Sequence, residues 1–140
     1  MQKTFLYAHA MWAVGDKAPV LTKTVRAVLY AHLQKWAEEK GIRLLTVNGG
    51  VDHIHVLVNL HPAQNLAQVV RQLRSESAEW LNVTKLVTEP FSWEDEYAAY
   101  SVSPNVIRQV TDYFERQDEY HKTRSLADEM EVFEKLQSGQ

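Results

Sequence analysis

Residues 4–14 place Phe5, Tyr7, His9 and Met11 on one parity and Leu6, Ala8, Ala10 and Trp12 on the other. Apolar side chains on both parities predict a strand buried on both faces. Gly15-Asp16-Lys17-Ala18-Pro19 has turn chemistry. From Thr22 the period lengthens to that of a helix, with Leu21, Val25, Val28, Leu29, Leu33 and Trp36 on one side and Gly41 placed to end it in the left-handed C′ position. Residues 42–47 read as a second strand, Asn48-Gly49 as a hairpin signal, and residues 51–60 as the returning strand.

Pro62 interrupts that pattern, and Asn65 is a candidate N-cap for a second helix whose stripe is Leu66, Val69, Val70, Leu73, Trp80 and Leu81. Residues 84–96 are irregular and acidic, and residues 97–102 fit a short edge strand. Ser103-Pro104 pairs an N-cap with proline at N1 and opens a helix with Val106, Ile107, Val110 and Phe114 inward, running to about Arg124. Ser125 with Asp128 resembles a capping box for a terminal helix carrying Leu126, Met130, Phe133 and Leu136. The order β-α-β-β-α-β-α-α, with an antiparallel central pair, predicts an α+β sandwich: a ferredoxin-like or RRM-like antiparallel sheet with helices packed on one face.

With 140 residues the chain suits one domain: a core over residues 1–124 and a C-terminal helix over 125–140. It holds no cysteine, which excludes disulfides, thiolate metal sites and a thiol nucleophile. The longest apolar run, Val56-Leu57-Val58, is too short to cross a bilayer, and the first residues lack a signal-peptide core, so a cytoplasmic protein without membrane partners is expected. The net charge of −3 conceals a gradient. Residues 1–50 carry seven Lys/Arg and three Asp/Glu (+4), residues 51–100 three and seven (−4), and residues 101–140 five and eight (−3). A nucleic-acid binder normally shows a basic surface, so by charge alone this chain is a weak candidate.

Chemistry concentrates in two stretches. In His53-Ile54-His55-Val56-Leu57-Val58-Asn59-Leu60 the two imidazoles project from one face of a strand, with α-carbons roughly 6.6 Å apart, while Ile54, Val56, Val58 and Leu60 face a core. Such a pair can converge on a metal ion, or it can be two packed histidines. Asp52 is expected on the opposite face as a turn residue. His9, His32, His61 and His121 are dispersed along the chain. The second stretch is helical: Tyr113 and Gln117, four apart, stack on one face, followed by His121. The bland alternative is a rim tyrosine with solvated neighbours; the functional one makes Tyr113 a nucleophile and Gln117 an oxygen ligand. Imidazole and amide oxygen together suit Mg²⁺ or Mn²⁺.

The segments VNGGVDHIHVLVNLHP, VVRQLRSESAEWLN, FSWEDEYAAYSVS and VTDYFERQDEYHKTRSLADEM, in this order, resemble the single-tyrosine HUH transposases of bacterial insertion sequences, including the REP-associated tyrosine transposases. The resemblance covers nearly the whole chain. It implies the HUH nuclease fold, a divalent metal held by His53, His55 and Gln117, and Tyr113 as nucleophile. It further implies cleavage and rejoining of single-stranded DNA at hairpin-bearing element ends through a 5′-phosphotyrosine, by a homodimer. Arg71 and Arg74 on the second helix, with Lys122 and Arg124 after the tyrosine, are candidate phosphate contacts or members of a solvated helix face. Trp12, Trp93, Tyr97 and Tyr100 could stack on bases or pack in the core. Two other functions suit the same fold: a domesticated protein that binds DNA hairpins without cutting, and a metallo-phosphoesterase acting on small nucleotides.

Overall fold

The computed structural model describes residues 3–117 and Glu131. Its elements are β1 (Tyr7–Ala13), α1 (Lys23–Glu39), β2 (Arg43–Gly49), β3 (His53–Asn59), α2 (Leu66–Thr84), β4 (Ala98–Val102) and α3 (Ile107–Glu115), with short 3₁₀ turns before α1 and α3. This follows the expected order as far as α3. The proposed terminal helix over 125–140 lies outside the described residues, apart from Glu131.

The four strands form one antiparallel sheet in the order β2-β3-β1-β4. Strand β1 is central and buried on both faces, as its apolar parities require, and β4 is an edge strand. Helix α1 starts where Thr22 Oγ1 accepts from the Val25 amide. It ends in a Schellman arrangement: Gly41, at φ 73°, donates to Glu38, and Ile42 donates to Ala37. Helix α2 starts at Asn65, whose side chain accepts from Gln68.

Helices α1 and α2 make the layer expected on one face. There Val25, Leu29, Leu33, Val69, Val70, Leu73 and Leu81 pack on Ala8, Ala10, Trp12, Ile54, Val56 and Val58. The third helix adds a layer on the opposite face, where its Val110 and Phe114 form a separate small core with Leu57 and Val102. Alternation along β3 sends Ile54, Val56 and Val58 to the large core and His53, His55 and Leu57 to the α3 side.

Two local expectations change. Asn48 and Gly49 are strand residues paired with His55 and Ile54, so the hairpin turns at 50–52 instead. A two-residue Asn-Gly turn needs positive φ, and Gly41 is the one described glycine that has it. Gly49 meets a different need: a Cβ there would lie 2.3 Å from the His53 carbonyl oxygen and 2.9 Å from the Ile54 α-carbon. The helix expected to reach Arg124 is interrupted at Arg116, the cap after Glu115; Gln117 is helical again, and residues 118–124 lie outside the described residues.

The irregular segment 85–96 is fastened to α2 by polar side chains. Asn82 donates to the Phe91 carbonyl at 2.9 Å and accepts from the Phe91 amide at 2.7 Å, replacing a strand neighbour. Buried Ser77 accepts from the Trp93 indole N–H at 2.9 Å. Arg74 donates to the Glu94 and Asp95 carbonyls. Trp12 and Trp93 are both buried and meet edge to face, which makes them core residues.

Candidate metal and tyrosine site

Strand β3 holds His53 and His55 on a stiff element whose other face is anchored in the large core, and both rings are fully buried. Their centroids lie 5.0 Å apart with planes at 87°. Opposite them, α3 is docked by Phe114, which brings the Tyr113 ring edge-on to His55 at 6.0 Å. Gln117 follows the end of α3. The Arg116 amide folds back onto the Tyr113 carbonyl at 3.2 Å, and the Gln117 side chain, 1% exposed, places Oε1 3.1 Å from His53 Nε2. The helical ladder expected from Tyr113 to Gln117 is therefore broken by the helix end, and it is the turn at Arg116 that aims Gln117 at the histidine.

The hydrogen bonds around His53 bear on what the site can hold. Its Nδ1 lies 2.8 Å from Asp52 Oδ1. A carboxylate only accepts, so Nδ1 carries the proton and donates. The Nε2 atom then faces the Gln117 side-chain amide, whose oxygen lies on the histidine side, where both atoms could ligate one cation. Adjacent ligands of an octahedral Mg²⁺ at 2.0–2.1 Å are about 3.0 Å apart, close to the observed 3.1 Å. The donor set therefore fits a hard or borderline divalent cation. Among the described residues no cluster of three or more His, Cys, Asp or Glu side chains could hold a metal. A cation here would take imidazole and amide ligands, leaving positions for water and a phosphate.

The fold thus gathers His53, His55, Tyr113 and Gln117 on one face of the sheet. It does not bring Arg71 and Arg74 to them: α2 packs on the opposite face, Arg71 is exposed, and Arg74 is engaged with the 85–96 segment. Lys122, Arg124 and His121 lie outside the described residues. Two residues at the site were not anticipated. Asp52 was expected to point away, but it sits in the 50–52 turn, where its side chain swings back to His53. His9 is isolated in sequence, yet the antiparallel pairing of β1 with β3 puts its Nε2 2.8 Å from His55 Nδ1. The single signal for His9 was a lone polar residue on an otherwise apolar strand face.

Known proteins share this arrangement of elements. A crystal structure of a transposase candidate from Deinococcus radiodurans R1 matches with a TM-score of 0.66 at 24% identity, covering 84% of this chain and 98% of that one. A REP-associated tyrosine transposase bound to a REP hairpin matches with a TM-score of 0.63 at 10% identity, covering 86% and 73%. In sequence, the ISDra2 transposase TnpA of Deinococcus radiodurans is 28% identical over 114 residues, 78% of this chain and 81% of the relative. The family model described as "Transposase IS200 like" matches residues 2–117. That match takes in every strand of the sheet and runs to Gln117, the last residue of the site, so the chain belongs to the IS200-like transposases.

Proposed function

We propose that this transposase cuts and rejoins single-stranded DNA at hairpin-bearing element ends, with Tyr113 as nucleophile and His53, His55 and Gln117 as ligands of a divalent cation. The observation that carries it is the approach of Gln117 Oε1 to His53 Nε2 at 3.1 Å beside the half-buried Tyr113 ring. The REP-hairpin complex of the structural relative supports a folded single strand as substrate. The resemblance supports a homodimer acting on cytoplasmic DNA. Among the described residues no helix is long and apolar enough to cross a membrane.

A cation of the Mg²⁺ or Mn²⁺ type supplies Lewis-acid withdrawal of charge from the scissile phosphate. The chain's own residues do the rest. Tyr113 contributes a phenolic oxygen that attacks phosphorus once its proton is gone; the P–O3′ bond breaks, the 3′-oxygen leaves and is protonated, and a 5′-phosphotyrosine diester remains. That diester conserves the linkage, so a 3′-hydroxyl can reverse the attack and join strands without ATP. Asp52 holds the His53 ring through Nδ1, and the packing of Phe114 sets where Tyr113 stands.

The test is incubation with Mg²⁺ or Mn²⁺ and single-stranded oligonucleotides bearing small hairpins, read by denaturing gel and peptide mass spectrometry. An adduct on Tyr113, absent in Tyr113→Phe with hairpin binding retained, is expected. An adduct that survives Tyr113→Phe overturns the nucleophile assignment. Hairpin binding without any adduct indicates a non-cutting binder, and hydrolysis of small nucleotides without an adduct indicates a phosphoesterase.

A further inference from the structure

We propose that His9 is a positioning residue that determines which ring nitrogen of His55 carries the proton, and so which one is open toward the cation site. The proposal rests on His55 being a metal ligand. His9 lies on β1 opposite Leu57, one step diagonal from His55, and is fully buried. Its Nε2 is 2.8 Å from His55 Nδ1. The centroids are 5.0 Å apart and the planes differ by 26°. The centroid distance exceeds the N···N distance by 2.2 Å (5.0 minus 2.8), about two ring radii, so the rings meet end to end. That is the geometry of an in-plane hydrogen bond.

Between two neutral imidazoles one nitrogen donates and the other accepts. If His55 donates from Nδ1, its Nε2 keeps a lone pair for a cation. If His9 donates, His55 carries its proton on Nε2 and is lost as a ligand at that atom. His9 as the acceptor therefore does for His55 what the Asp52 carboxylate does for His53. Its surroundings favour a fixed ring: the Phe114 ring is 5.0 Å away at 60°, and Tyr100 is 5.8 Å away. An apolar side chain would fill this pocket with no polar atom to satisfy, so packing alone does not account for an imidazole there. Phe114 also follows Tyr113 directly on α3 and lies 5.3 Å from the His55 ring, so one ring registers the β3 ligand against the tyrosine helix.

The experiment is two-bond ¹H–¹⁵N correlation of the imidazoles in metal-free protein, with Mn²⁺ titration calorimetry, on wild type, His9→Leu and His9→Gln. The wild type should show His55 protonated on Nδ1 and bare on Nε2. His9→Leu should mix the His55 tautomers and weaken Mn²⁺ binding by about 10–100-fold. His9→Gln, whose amide oxygen can accept from Nδ1, should restore the tautomer and most of the affinity. A wild-type His55 protonated on Nε2, or a folded His9→Leu with an unchanged tautomer, overturns the proposal. If His9→Leu does not fold, the wild-type and His9→Gln spectra decide. If the wild type binds no Mn²⁺, the metal assignment fails, and the tautomer measurement still judges His9 by itself.

Discussion

Phe114→Ala should separate the docking of the tyrosine helix from the stability of the rest of the domain. Helix α3 buries just two side chains, Val110 and Phe114, against Leu57 and Val102, and no residue of α3 belongs to the larger core between the sheet and α1 and α2. An aromatic side chain buries roughly 150–250 Å², which at about 25 cal/mol per Å² is worth about 4–6 kcal/mol as an upper estimate. Truncations of buried phenylalanine cost ~3–5 kcal/mol. Because the loss falls on a nine-residue helix, it should be met by local undocking before global unfolding. Hydrogen exchange at residues 107–115 should accelerate by at least ~10², from about 1.4 kcal/mol per decade, while amides of β1 and β3 near the large core change little. Adduct formation should be lost with Tyr113 and Gln117 no longer held, and thermal unfolding of the remaining domain should shift by only a few degrees. Equal acceleration in β1, β3 and α3, with a large fall in Tm, would show that α3 belongs to one cooperative core and would refute the reasoning.

Other substitutions test other links. Gly49→Ala puts a methyl group against the His53 carbonyl and the Ile54 α-carbon, backbone atoms that cannot rotate away; a loss of at least ~1–3 kcal/mol is expected by chemical denaturation, with Mn²⁺ binding weakened because the hairpin carries His53. Asp52→Ala leaves His53 Nδ1 without the oxygen that accepts from it; calorimetry should show ~10–100-fold weaker Mn²⁺ affinity. Ser77→Ala strands the Trp93 indole N–H and should cost ~1–3 kcal/mol. Unaltered stability there would mean that the indole finds another acceptor.

The legible part of this protein was the part governed by local periodicity. Strand-length apolar runs named β1, β2 and β3, a short aromatic stretch named β4, and the 3.6-residue stripes named α1 and α2. Capping chemistry at Asn65 and Gly41 marked two of their ends, because a cap is a bond between residues three to five apart. His53 and His55 share a face because strand geometry leaves no other choice, and the order of motifs tied them to Tyr113 and Gln117. The turn at 50–52, the interruption of the helix at Arg116 and the third layer on the far side of the sheet escaped that logic. Each depends on contacts made after the sheet forms: Gly49 yielding space to His53, Arg116 tightening the last turn, and Phe114 finding Leu57. The same holds for Asp52 and His9. Sequence put His9 forty-six residues from His55 with nothing to join them. The antiparallel register of β1 on β3 made them hydrogen-bonded neighbours, because pairing across a sheet is decided by the whole core and not by either strand.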